Sequence, residues 1–128
     1  MFSGDPHWSE PKRVRSSLRQ NGQHLGYITI VSYPNRDITA FPEGSPYFEV
    51  VVSDLADQHV ALLQRFRQHW LIQCGERYVT AEASGALNPE QIQTLATFAM
   101  EHAVEGSFVL AAALRVEVER MLGERAQV

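Results

Sequence analysis

The chain has 128 residues, of which 45% are hydrophobic, and its formal net charge is −4. This length and apolar content predict one globular domain spanning residues 1–128 and exclude a disordered chain. The negative net charge excludes an overall electrostatic attraction to nucleic acid or to an anionic membrane.

Several features predict a cytoplasmic protein. The start of the chain has no secretory signal pattern, and no apolar run approaches the roughly 20 residues that a membrane-spanning helix needs. Cys74 is the only cysteine, so no intrachain disulfide can form, as is usual in a reducing compartment. Ten of the eleven basic residues are arginine, a coding bias that suggests a bacterial or phage source.

The first predicted element is a β-hairpin formed by residues 12–20 and 23–33, which Asn21-Gly22 joins. Asn-Gly favours the positive φ angles that a two-residue type I′ turn requires. A short helix over residues 9–21, with Gly22 as its terminator, is the alternative interpretation. Residues 1–10 are expected to form a flexible or loosely docked arm.

A uniform ladder across this hairpin pairs Leu18 with Leu25 and Arg19 with His24. It places Arg13 and Arg15 on the opposite face from Leu18, across from Ile30 and Ile28. We therefore expect a strand with several arginines on one face.

Two short strands and a helix are predicted next. The strands are Ile38–Phe41 and Tyr47–Val52, and the helix is capped by Ser53 or Asp54 and continues to about Gln68. The apolar residues of this segment recur at helical spacing; they are Leu55, Leu62, Leu63 and Phe66.

A second hairpin and two helices complete the prediction. Trp70–Cys74 and Arg77–Ala83 flank Gly75-Glu76, where glycine in the first position favours a type II′ turn. A helix begins at Asn88-Pro89, and the last helix follows Ser107 and ends at Gly123. The fold class is α+β: a mostly antiparallel sheet of about five strands with three helices, the last two forming a pair packed on the sheet.

No catalytic motif, phosphate-binding loop or cofactor motif occurs, so we expect no cofactor and lean against an enzyme. Asp54, Asp57 and His59 are close in sequence and could ligate a metal, but carboxylates in the first turn of a helix also simply favour its dipole. We therefore predict no metal site. Cys74 is expected to be an inert, half-buried thiol.

The strongest functional feature is the basic hairpin. Residues 1–36 carry a net charge of +3, whereas residues 80–128 carry −4. Guanidinium groups match phosphate and carboxylate geometry, and charge asymmetry favours steering at an interface. The candidate binding residues are Lys12, Arg13, Arg15, Arg19 and His24.

These features predict a binding protein that occupies a macromolecular partner, in an inhibitor, immunity or adaptor role. A protein partner is favoured and a nucleic acid is an alternative; no membrane association is expected. One rival is a small-ligand protein or enzyme with a pocket between sheet and helices, for which the candidates are Tyr33, Asp54 and His59. The other rival is a self-associating subunit, such as a homodimer.

Overall fold

In the part of the chain that the structure describes, six antiparallel strands form one sheet in sequence order, and two helices follow them. The computed structural model describes residues 11–32 and 48–126, with side chains up to Gly123. The strands are β1 (Lys12–Gln20), β2 (Gln23–Ser32), β3 (Phe48–Asp54), β4 (His59–Arg65), β5 (Trp70–Cys74) and β6 (Arg77–Ala81). The helices are α1 (Pro89–His102) and α2 (Ser107–Ala126), and a 3₁₀ turn, Ala103–Glu105, joins them.

The α+β class is confirmed; the described residues contain six strands where about five were expected and two α-helices where three were expected. The expected arm at residues 1–10, the strand Ile38–Phe41 and the site candidate Tyr33 lie outside the described residues.

The helix predicted from Ser53 or Asp54 to Gln68 is wrong. This segment contains the end of β3, a turn and β4. The run Val60–Leu63 alternates between the two faces of the sheet, with Ala61 and Leu63 buried under the helices. Pairing with both β3 and β5 outweighed the helical spacing of four apolar residues, because a central strand has apolar residues on both faces.

Asp54 caps the β3–β4 turn instead of a helix. Its Oδ1 accepts hydrogen bonds from the backbone N–H groups of Ala56 and Gln58, each at 2.9 Å. Asp57 adopts a positive φ of 65°, which aspartate tolerates better than most residues. The Asx-type bonds fix this turn without any helix.

The first hairpin is confirmed, but its predicted register is wrong beyond Arg19. Arg19 pairs with His24 as expected; a bulge then makes Leu18 pair with Gly26 instead of Leu25. The one-residue shift moves Ile28 and Ile30 to the face of Leu18, where the helices pack. Burial of these isoleucines explains why the bulged register is preferred over a uniform ladder.

Gly26 is required at this bulge. An added Cβ would lie 2.1 Å from the backbone oxygen of Ser53 on the neighbouring strand. Only a residue without a side chain lets β2 and β3 approach here.

The second hairpin and α1 follow from their local signals. Cys74 pairs with Arg77 across Gly75-Glu76, and Gly75 has a φ of 59°. The side chain of Asn88 accepts from the backbone N–H of Gln91 at 2.8 Å, and that of Gln91 accepts from the N–H of Asn88 at 2.9 Å. This reciprocal capping box fixes the start of α1.

The last helix differs from its prediction in two ways. It continues to Ala126, past Gly123, which does not adopt the positive φ that a terminating glycine needs. Its first half, Phe108–Leu114, is apolar all round, which predicts burial, yet Phe108 is 63% exposed and Val109 is 45% exposed.

Both helices cover the same face of the sheet. α1 contacts β1, β3 and β4, whereas α2 contacts β5 and β6. The core lies between the sheet and the two helices. It includes Leu18, Ile28, Val52, Leu63, Trp70, Ile72, Leu95, Leu114 and Val118. The Trp70 indole N–H donates to the backbone oxygen of Gly85 at 3.0 Å, so its polar group is satisfied within the core.

The opposite face, which we call the open face, has no described element packed on it. It carries the side chains that alternate with the core residues along each strand, among them Tyr27, Val51, Leu62 and Leu71. These four are partly exposed, while Val31 and Ser53 on the same face are buried.

Candidate functional site

Three arginines lie along the outermost strand on the open face. Arg13, Arg15 and Arg19 alternate with Val14, Ser16 and Leu18, whose partners belong to the helix-covered face. All three arginines are exposed. We call them the basic row; Lys12 is exposed as well but belongs to the other face.

The middle arginine is held in place by two contacts. The guanidinium carbon of Arg15 lies 3.9 Å from the centroid of the Tyr27 ring, and its Nη1 lies 3.1 Å from Oδ1 of Asp57. Stacking and ion pairing together restrict the rotamers of Arg15. Because the ion pair is exposed, it contributes little to stability.

The side chain of His24 contacts the ring of Tyr27. The rings meet edge to face with centroids 5.0 Å apart, and the His24 ring N–H at Nε2 donates to the backbone oxygen of Gly26 at 2.9 Å. His24 thus packs against Tyr27, and its predicted role in partner binding stays a prediction.

The two outer arginines differ from Arg15. Arg15 forms a salt bridge with Asp57, whereas no salt bridge of Arg13 or Arg19 is found among residues 11–32 and 48–123. The row thus presents one positioned guanidinium between two solvated ones. Such an arrangement can bind carboxylates or phosphates spaced along an extended ligand.

No protein-family model, curated protein or solved structure shows a significant match to this chain.

The three predicted pocket residues have different outcomes in the structure. Tyr33 lies outside the described residues, and the carboxylate of Asp54 is used by the β3–β4 turn. His59 does line a cleft of about 260 Å³ where β4 and β5 separate. The other lining residues are Val60, Ala61, Leu62, Gln73 and Gly75.

The described residues offer little for metal binding or nucleophilic chemistry. Across them, no group of three or more His, Cys, Asp or Glu side chains is placed to hold a metal ion. Cys74 is buried, and desolvation raises its pKa to about 11, so its thiol stays protonated at neutral pH.

The sequence did not identify Asp57 and Tyr27 as the residues that contact Arg15. Asp57 was assigned to a helix, although the positive φ it adopts is one that Asp and Asn reach more readily than other residues. The uniform ladder predicted from the sequence pairs Tyr27 with Ser16 on the face of Leu18, and only the bulge places Tyr27 beside the arginines.

The structure also bears on membrane association. No helix among the described residues is long and apolar enough to cross a membrane. The cytoplasmic location, the bacterial or phage source and the homodimer stay predictions.

Proposed function

We propose that this chain is a non-enzymatic binding protein that occupies a macromolecular partner through the basic row and Tyr27. An inhibitor, an immunity factor or an adaptor acts in this way. The observation that carries the proposal is the placement of Arg15 between Tyr27 and Asp57, with solvated Arg13 and Arg19 on either side along one strand. Positioned arginines beside an aromatic ring are typical of binding hot spots.

An acidic protein surface fits this site better than a nucleic acid. Arg15 covers one face of the Tyr27 ring, which leaves that face unavailable for stacking on a base. The charge of the whole chain is −4, so attraction to an acidic partner requires a local cationic patch such as the basic row. A local cationic patch on an acidic protein favours a specific, oriented contact over general binding to a polyanion.

The small-ligand alternative has less support. The cleft at His59 is smaller than the roughly 300–1,000 Å³ typical of ligand pockets, and Asp54 is committed to its turn. The buried thiol of Cys74 is not a competent nucleophile at neutral pH.

Affinity capture with charge-reversal variants tests the proposal. We expect Arg13→Glu with Arg19→Glu to fold normally and to lose a partner that the unmodified protein retains at low salt. The matched control is Arg67→Glu with Arg115→Glu, which makes the same change in net charge at exposed positions away from the basic row. Exposed substitutions of this kind change stability by only about 0.5 kcal/mol each.

Three outcomes would contradict the proposal. Equal capture by both double variants would locate the interface elsewhere. Loss of capture after nuclease treatment would identify a nucleic acid as the partner. Retention of the partner at salt concentrations that screen surface charges would show that the basic row contributes little.

A further inference from the structure

The outer edge of β1 is a second feature of the same hairpin. Among the described strands β1 is the terminal one of the sheet; it is nine residues long, and Leu18 is its one buried residue. A terminal strand presents a row of backbone N–H and C=O groups that can pair with another extended chain.

The turn determines which residues present those groups. In the type I′ turn at Asn21-Gly22, the carbonyl of Gln20 accepts from the N–H of Gln23, so the backbone groups of Gln20 point toward β2. These directions alternate along a strand, and the extra residue of the bulge, Leu25, lies in β2, not β1. The outward backbone groups therefore belong to the odd-numbered residues, Arg13, Arg15, Ser17 and Arg19. Of these groups, the carbonyl oxygen of Arg19 already accepts a hydrogen bond from Nε2 of Gln93 on α1 at 3.3 Å.

Backbone pairing and positive charge thus coincide on the same residues. A strand added to this edge would place its own side chains opposite those of the basic row, on the open face. Successive sites on one face of a strand are about 7 Å apart. The edge therefore offers both main-chain hydrogen bonds and a periodic row of cations.

The charges also select the occupant. A second copy of β1 would bring arginines opposite arginines, and like charges directly opposite each other destabilise a strand pair. A strand with acidic side chains would instead place opposite charges across from the arginines, which stabilises a strand pair. The same residues that prevent edge-to-edge aggregation would thereby admit one class of partner.

We propose that the outer edge of β1 takes an extended acidic segment of a partner protein as an additional antiparallel strand. The acidic side chains stand at alternate positions, opposite Arg13, Arg15 and Arg19. Asp57 and Tyr27 hold the central guanidinium ready for its partner. This inference rests on the proposed function and adds to it the conformation and charge pattern of the bound segment.

Synthetic peptides test the inference with the full chain. The probe is a peptide as long as β1 with glutamate at every second position and threonine or valine between. Two further versions have identical side chains: one is N-methylated at the glutamates, whose amides face β1, and the other at the intervening residues, whose amides face away. A peptide with lysine in place of glutamate is the charge control.

We expect the unmodified peptide and the version methylated at intervening residues to bind with similar affinity in calorimetry. Methylation at the glutamates should weaken binding by about tenfold or more, because several main-chain hydrogen bonds are lost. Hydrogen exchange measured by NMR should slow at the amides of Arg13, Arg15, Ser17 and Arg19 on binding. Arg13→Glu with Arg19→Glu should transfer the preference to the lysine peptide.

The outcomes separate this inference from the proposed function. Equal binding by all three glutamate peptides, abolished by the arginine substitutions, would overturn strand addition and leave charge-dependent partner binding in place. Absence of binding by the unmodified peptide would overturn strand addition outright. Capture of a partner that depends on the basic row would still support the proposed function.

Discussion

At the scale of single residues, close approach of backbones makes Gly26 sensitive to substitution. We expect Gly26→Ala to destabilise the protein by about 2 kcal/mol or more, because the new Cβ would overlap the backbone oxygen of Ser53. Gly123→Ala is the matched control: nothing lies near its Cβ position within a helix, so stability should rise by up to about 1 kcal/mol. Urea denaturation measures both changes, and equal effects would contradict the assigned register.

Cys74 gives a pH-dependent prediction at the same scale. Burial raises the pKa of its thiol from 9.0 to about 11, so the folded protein holds the thiol proton more tightly than the unfolded chain does. The free energy of unfolding should therefore fall as pH rises from about 9 to about 11. Other groups titrate in this range, so the measurement is the difference from Cys74→Ala, which lacks this component. A difference that does not vary with pH would show that the thiol is not desolvated in the folded protein.

At the scale of elements, the turns and helix caps that depend on neighbouring residues were predicted correctly, whereas features that depend on strand pairing were not. Asn21-Gly22, Gly75-Glu76 and Asn88 each determine their turn or cap through their own backbone preferences, and each was predicted correctly. The bulge at Leu25 could not be predicted this way, because its register depends on which residues the helices bury. β4 was mistaken for a helix for the same reason: pairing with β3 and β5 decided its structure.

The two faces of α2 differ in burial, and this difference predicts how substitutions on each face change stability. Leu114 is fully buried between helix and sheet, whereas Val116 is 54% exposed on the other side of the helix. We expect Leu114→Ala to cost about 2–5 kcal/mol. Val116→Ala should change stability by only about 0.5 kcal/mol. Thermal and urea unfolding of the two variants check this, and a large cost for Val116→Ala would mean that its face is covered in solution.

For the whole molecule, α2 is predicted to be indispensable. Ending the chain at Gly106 removes five large buried side chains: Leu110, Leu114, Val118, Met121 and Leu122. Each is worth about 1.5–3 kcal/mol when buried, and the total stability of a domain is only about 5–15 kcal/mol. The truncated protein should be insoluble or should bind hydrophobic dyes without a cooperative transition. Cooperative unfolding of a soluble truncated protein would show that α2 is dispensable.

The candidate site was only partly predictable at this scale. The cluster of arginines on one strand face is visible in the sequence, since a strand alternates its side chains between two faces. The residues that contact Arg15 are not visible in the sequence. Tyr27 lies beside Arg15 because of the bulge, and Asp57 lies in a turn more than 40 residues away from Arg15 in sequence. Contacts of this kind depend on tertiary pairing, which composition and spacing do not encode.

The order of the strands has a consequence for how the protein folds. Every described strand pairs with its neighbour in sequence, so the contacts within the sheet close short loops and carry a small entropic cost. The sheet can therefore grow hairpin by hairpin while the chain is being synthesised. Its apolar face, however, is covered by helices that follow all six described strands in the chain. A nascent chain would accordingly hold a nearly complete but uncovered sheet until α2 leaves the ribosome, and aggregation is most probable in that interval.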